Sequence, residues 1–244
     1  MTLFQSGQKV TYYDYVGVYS TSSGQSQAYS IGLKTPVTEK DVLIQTKWMP
    51  ICATASRDTN YMIARRFYWS SGTAYLYGAG IRPVAYSGSN NRGVLLIQTT
   101  YSVDIETGVA AWARDSEWLD AEIKMSLNPV NSTNNYIKVG SHQVSNAASN
   151  SATDSGEEWF LFALNGQSGY WNDRSTDDPL GAGLLQRTKF YDFTGTNLLA
   201  DLLPCVRNNI VGMIDDVSGR FCPIMQNSTP LDTSSSSVRY GNLS

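Results

Sequence analysis

Apolar and aromatic residues alternate with polar ones in short runs along most of this chain, and clusters of Gly, Asn, Ser and Asp break the runs. A period of two sends successive side chains to opposite faces of a pleated strand, so the pattern predicts β-structure rather than helix. The stretch 118–125 shows the logic. Leu119, Ala121, Ile123 and Met125 are apolar and are expected to face a core, whereas Trp118, Asp120, Glu122 and Lys124 share the wetter face. Strands are expected at 9–19, 28–33, 41–47, 61–68, 73–77, 93–100, 109–113, 118–127, 135–139, 158–165, 185–193, 198–203, 210–214 and 220–222. So many short strands at this spacing predict an all-β fold, a two-sheet antiparallel sandwich or a jelly roll.

The loops carry the polar residues. Clusters at 87–93 and 145–151 read as turns. The longest irregular stretch is 166–183, which holds Tyr170, Trp171, Asn172 and Asp173 and, further on, Asp177 and Asp178. A long ordered loop is more often functional than a short one. The segment 226–244 includes four consecutive serines at 234–237 and reads as a tail that packs on the domain or on a neighbour.

Composition narrows the class. Over 244 residues, charged side chains make up only 16%, against about 25% in an average domain. Glu and Lys, which a long helix needs on its wet face, are therefore scarce, and 11% aromatics argue against disorder. The net charge is −3 and the 18 Lys and Arg are scattered, so no nucleic-acid footprint is expected. No apolar run is long enough for a membrane-spanning helix. The opening residues lack the basic region and apolar run of a signal peptide, so synthesis in a cytoplasm without such export is expected. Cys52, Cys205 and Cys222 have no zinc-binding spacing and are expected to be free thiols.

Several segments together resemble the concanavalin A-like (lectin/glucanase, laminin-G-like) jelly rolls of phage virion and gut-bacterial surface proteins. Near the start, Ser30-Ile31-Gly32-Leu33 is similar to the family's opening strand segment. Trp159-Phe160-Leu161-Phe162-Ala163 resembles the strand before its Gly-Asn loop, and Asp201-Leu202-Leu203-Pro204-Cys205 resembles its Asp-Phe-x-Pro-Cys segment. The stretch Gly212-Met213-Ile214-Asp215-Asp216-Val217-Ser218-Gly219-Arg220-Phe221 resembles its Gly-Met-Tyr-Asp-x-Val-x-Gly-x-Phe hairpin, departing at Ile214. The resemblance covers 12–225 and implies the fold; residues 1–11 then form a short N-terminal arm, read as a docking segment. In that hairpin Asp215 and Asp216 are expected to bond turn N–H groups, and Gly219 to supply a positive φ.

Candidate chemistry is sparse. Glu117, Asp120 and Glu122 put acids near one another, and a retaining glycosidase needs two carboxyls about 5–5.5 Å apart. Their order differs from that of the glucanases, and Lys124 on the same face offers an ion-pair partner, so no catalysis is expected. His142 is the only histidine, and it reads as a solvated residue at a strand end. Asp173, Asp177 and Asp178 are the only calcium candidates, without the spacing of a calcium loop, so no cofactor is expected. Sugar recognition needs aromatic faces for the C–H side of the ring and polar groups for its hydroxyls. Tyr170, Trp171, Asn172 and Asp173 supply that set in the long loop, Trp118 beside Asp120 is a second location, and Phe67-Tyr68-Trp69 a third. The competing reading is that these rings plug loops onto the core or bury in a subunit contact.

The resemblance then implies a non-enzymatic phage virion component, in a tail, baseplate or head fibre, that displays a jelly roll able to bind host-surface glycans. Its expected partners are other virion proteins and copies of itself, a trimer being the expected assembly. The alternatives are a structural decoration module without a ligand and, third, a glycan hydrolase.

Overall fold

The alternating runs become strands, and every strand pairing is antiparallel, in the computed structural model. It describes residues 4–5, 8–18, 31–50, 60–68, 74–83, 93–98, 117–126, 135–146, 153–154, 158–162, 183–226 and 229–243. Among these residues there are twenty strands and no helix. In chain order they are β1 (Phe4–Gln5), β2 (Gln8–Tyr12), β3 (Tyr15–Val18), β4 (Ile31–Lys34), β5 (Val42–Pro50), β6 (Asn60–Tyr68) and β7 (Ala74–Pro83). Next come β8 (Gly93–Gln98), β9 (Leu119–Met125), β10 (Asn135–Val139), β11 (His142–Asn146), β12 (Thr153–Asp154), β13 (Phe160–Leu161) and β14 (Gly183–Leu185). The last six are β15 (Thr188–Asp192), β16 (Leu198–Arg207), β17 (Ile210–Asp215), β18 (Phe221–Gln226), β19 (Thr229–Pro230) and β20 (Val238–Gly241).

The strands form one branched sheet that can be followed as two wings. In the first wing the neighbours run β11, β10, β9, β5. The far edge of β5 is shared, residues 42–45 pairing with β15 and residues 48–50 with β14. From β15 the wing continues to β16, β17 and β18; from β14 it continues to β3 and β20. The end of β16 also takes β2. β18 changes wing partway along: Phe221, Cys222 and Pro223 pair with β17, and Ile224, Met225 and Gln226 with β4. The second wing runs on through β13, β6, β7 and β8.

Side chains from both wings bury in one hydrophobic cluster. Ile44, Ile123, Ile137 and Phe190 come from the first wing, and Leu33, Ile63, Leu161 and Ile224 from the second. Burial of each such side chain stabilises by roughly 1.5–3 kcal/mol. β9 follows its sequence pattern: Ala121, Ile123 and Met125 are buried, whereas Asp120 is exposed and Glu122 and Lys124 are half-buried. Trp159 is fully buried, and its indole N–H donates to the Glu39 carbonyl at 2.7 Å, so the ring enters the core with its polar atom satisfied. Gly17 marks a close strand approach, since a Cβ there would stand 2.2 Å from the Gly183 carbonyl oxygen.

In the hairpin between β17 and β18 Asp215 and Gly219 play the parts expected of them, whereas Asp216 enters through its backbone. Asp215 is almost wholly buried, and its Oδ1 accepts the N–H of Asp201 at 2.8 Å and of Val217 at 3.2 Å. Its Oδ2 accepts the N–H of Ser218 at 3.0 Å and the Ser218 hydroxyl at 2.5 Å. Gly219 has φ +73°, and Asp216 contributes its backbone N–H to the Asp201 carbonyl at 2.8 Å.

Strand boundaries differ from expectation where strands change partner. The expected strand 9–19 is β2 and β3, broken at Tyr13 and Asp14. There the Tyr13 N–H turns to the Pro204 carbonyl and the Asp14 N–H to the Gly241 carbonyl, both at 2.9 Å. The expected end at 203 is overrun, because β16 continues through Pro204 to Arg207. Pro204 lies between the last residue paired with β15, Leu202, and the first paired with β2, Cys205, where a missing N–H costs little. Pro223 is likewise the last residue of β18 paired with β17. β11 and β20 carry weak alternation and were not expected. β20 pairs with β3 and buries Val238, so residues 238–241 of the expected tail belong to the sheet. At the other end, residues 8–11 of the expected arm lie in β2, with Val10 buried beside Cys205 and Ile214. The expected strand 109–113 lies outside the described residues.

Cys205 and Cys222 are buried free thiols, and both are pushed up to about 12 by burial first. Register sets them on opposite sheet faces: Cys205 pairs with Gly212, whereas Cys222 pairs with the next residue, Met213. Cys52 lies outside the described residues.

Candidate functional site

Register turns polar residues that are scattered in the sequence into rows on the outer face of the first wing. Cα partners run Gln143–Lys138–Glu122–Gln45–Lys189–Asp201 across β11, β10, β9, β5, β15 and β16. Residues opposite one another on paired strands share a face, with Cβ atoms about 4.5–5.5 Å apart. A second row brings Gly140, Asp120 and Lys47 together; the Gly140 N–H donates to the Asp120 carbonyl at 2.8 Å, and Lys47 is the Cα partner of Asp120. The inner part of the first row, Lys138, Glu122, Gln45 and Lys189, together with the second row and with Gln186 and Arg187 between β14 and β15, lines a cleft of about 530 Å³. Beneath it the buried hydroxyls of Thr46 and Thr188 bond each other at 2.9 Å.

The charged groups of the cleft are largely held by neighbours. Glu122 Oε1 accepts the Tyr136 hydroxyl at 2.5 Å, and Oε2 accepts Gln45 Nε2–H at 2.9 Å. The Tyr136 bond foremost, then Gln45, Lys138 and Lys124, hold this carboxyl below its usual range against the opposing effect of burial. Tyr136 is pushed up to about 12 by burial and then by the adjacent Glu122. Lys47 stands 3.7 Å from Asp120. Arg187 grips Asp201 through two bonds, Nε–H to Oδ1 at 2.6 Å and Nη2–H to Oδ2, and the Asp201 side chain is buried.

An aromatic pair lies on the same face, next to residues that line the cleft. Trp118 immediately precedes β9 and shares the face of Asp120. It is half-buried, and its ring centroid lies 5.8 Å from that of Tyr15 with the planes at 52°. Tyr15 precedes Val16, the partner of Leu185, and so comes level with Gln186 of the cleft. Further along the face, Lys124 Nζ sits 4.6 Å from the centroid of the Phe193 ring.

The sequence-expected residues divide accordingly. Trp118, Asp120 and Glu122 come together on one face. Tyr170, Trp171, Asn172 and Asp173, with Asp177 and Asp178, lie outside the described residues, as does Trp69. Glu117 is exposed at the start of this segment. His142 opens β11, directly after a turn in which Gly140 has φ +57°. Among the described residues no group of three or more His, Cys, Asp or Glu could hold a metal ion. Asp120 takes Lys47 from the neighbouring strand as its ion-pair partner, whereas Lys124, the residue expected to pair, lies over Phe193. The glucanase chemistry considered for this strand needs one carboxyl that keeps its proton near neutral pH. Glu122 is arranged the opposite way, as a fixed anion with acceptor capacity.

Sequence reasoning missed Gln45, Lys47, Lys138, Gln186, Arg187 and Lys189, because they are spread over β5, β10, β15 and the junction before β15, and each reads alone as a solvated residue. The available signal was the polar parity of the expected strands 41–47, 135–139 and 185–193, which places Gln45, Lys138 and Lys189 on wet faces. The assembled face offers carboxylate acceptors, amide and ammonium donors, and aromatic surface at one end. Comparison of the chain with family models, with curated proteins and with solved structures finds no match in any of the three.

Proposed function

We propose that this chain is a non-enzymatic, carbohydrate-binding component of a phage virion, built as a concanavalin A-like jelly-roll sandwich. Support for the sandwich comes from two antiparallel wings that bury their side chains in one cluster, with β18 passing between them. The resemblance of the 212–221 hairpin, and of the segments around Trp159 and Asp201, carries the jelly-roll family and the virion setting.

The observation that carries the binding reading is the cleft on the first wing with its hydrogen-bonded Glu122, beside which the Tyr15–Trp118 pair lies on the same face as Asp120. A sugar lays its C–H face on an aromatic ring and directs hydroxyls to fixed acceptors and donors. Glu122 retains lone pairs after accepting Tyr136 and Gln45, and its position is set before a ligand arrives, which reduces the ordering cost of binding. The segment 166–183, expected from the sequence to be a loop and carrying Tyr170 and Trp171, is proposed as a second contact.

The test is a glycan array probed with the full chain and with Trp118→Ala and Glu122→Gln. Binding to a defined set of glycans that both substitutions reduce about tenfold or more supports the reading. No glycan retained by the parent protein would leave the structural assembly module as the better account. Release of reducing ends from a bound polysaccharide, lost in Glu122→Gln, would replace binding by hydrolysis.

A further inference from the structure

The lysines of the cleft bear on which sugars would fit it. Two of the four cations lining it have anionic partners of their own, Lys47 with Asp120 and Arg187 with Asp201. The other two, Lys138 and Lys189, form no ion pair among the described residues, although Lys138 stands opposite Glu122 and acts on its carboxylate through space. They occupy the same row, at either end of Lys138–Glu122–Gln45–Lys189, separated by three interstrand steps. At about 4.8 Å per step the two backbone positions are roughly 14 Å apart. The chain as a whole carries net charge −3. The cleft opposes that trend, with Lys47, Lys138, Arg187 and Lys189 lining it against Asp120 and Glu122.

The order of groups along the row states what a ligand must offer. Each lysine asks for an anion. Glu122, already ionised between them, asks for a hydrogen-bond donor, and Gln45 beside it accepts or donates. A chain of alternating hydroxyls and carboxylates meets all four demands at once, whereas a plain polyanion places negative charge against Glu122. We infer that the ligand of this face is an acidic saccharide, a polysaccharide bearing carboxylate groups, lying across the strands with its carboxylates at Lys138 and Lys189 and hydroxyls at Glu122 and Gln45. This inference rests on the carbohydrate-binding reading above and names the sugar class.

The experiment measures binding of the full chain to alginate, polygalacturonate and hyaluronate, to the carboxyl-reduced form of each, and to polyglutamate as an anion without hydroxyls. At least one acidic polysaccharide is expected to bind, with its reduced form markedly weaker. Lys138→Ala and Lys189→Ala are each expected to weaken it by about two- to fivefold, the range for exposed charge pairs. Lys189→Arg should retain most of the affinity, and raising the salt should weaken binding as charges are screened. Thermal melting of each variant separates lost binding from lost folding. Equal binding of acidic and reduced forms, unaffected by the lysine substitutions, overturns the acidic class and leaves carbohydrate binding standing. Equal binding of polyglutamate also overturns it, as a general polyanion surface. If none of the polymers binds while the array in the previous section is positive for neutral glycans, the acidic class alone fails. If both are negative, the carbohydrate reading fails with it.

Discussion

Removing the Asp215 carboxylate should loosen the molecule at a point that leads directly to the cleft. Asp215 accepts four hydrogen bonds, and their surroundings differ. Asp201 is buried, so its N–H has no water to turn to when Asp215→Ala deletes the acceptor. A buried donor left unsatisfied costs about 1–3 kcal/mol. Val217 and Ser218 are exposed, and water can replace the carboxylate at their N–H groups, so each of those bonds is worth about 0.5–1 kcal/mol. With the Ser218 hydroxyl bond, worth about 0.5–1 kcal/mol more, the expected loss is about 2.5–6 kcal/mol, a fall in melting temperature on the order of 10 °C for a chain of this size. Asp215→Asn should cost less. Its oxygen can keep Asp201 and Val217, while its amide then faces the Ser218 N–H, donor against donor. Ser218→Ala, which removes only the hydroxyl bond, should cost least, about 0.5–1 kcal/mol. The assay is urea unfolding of the three variants followed by tryptophan fluorescence. Two results would refute the reasoning: Asp215→Ala unfolding at the parental midpoint, or Ser218→Ala proving the more damaging change. There is a functional corollary. Asp215 holds the backbone of Asp201, and the Asp201 carboxylate holds Arg187 at the cleft, so Asp215→Ala should weaken any ligand of that face without touching it.

Gly212→Ala should destabilise the β17–β18 pairing, because the new Cβ would lie 2.4 Å from the Cys222 carbonyl oxygen; a parental unfolding midpoint would show the approach to be looser than described. Cys205 and Cys222, pushed up to about 12 and buried, should resist thiol labelling in the native protein at neutral pH and label on unfolding, and rapid native labelling of both would contradict this. The Asp192 carboxyl is lowered from 3.8 to about 2, by the Thr194 hydroxyl first and then by bonds from Thr196 and Asn197. A carboxyl depressed on folding contributes stability that is present above about pH 4 and lost as pH falls towards 2. Asp192→Asn should therefore flatten that part of the acid-unfolding profile, and an unchanged profile would count against it. Trp118→Ala should leave the melting temperature close to the parental value while reducing glycan retention, since the ring is half-buried beside the cleft; a large thermal loss would make it a structural plug instead.

What the amino-acid sequence determined by itself is what depends on neighbours in the chain. Alternation with period two identified β-structure and assigned Ala121, Ile123 and Met125 to the core and Asp120 and Glu122 to the wet face, because facing along a strand is a local consequence of the pleat. The Asp215–Gly219 turn was legible for the same reason, its hydrogen bonds spanning only a few residues. Pairing between distant strands is different. Nothing local says that β9 lies beside β5, so Lys124 looked like the partner of the acids, and Lys47 is the one that reaches Asp120. Nothing local says that β16 exchanges β15 for β2 around Pro204, so proline looked like an end, nor that Val238 has a place beside β3. The row Lys138–Glu122–Gln45–Lys189 exists only in the register of four strands, and a shift of one residue in any of them would turn its side chain to the other face. The tertiary structure alone decided that register, because it is the burial of both wings in a single cluster that selects one pairing among the many that the alternating pattern allows.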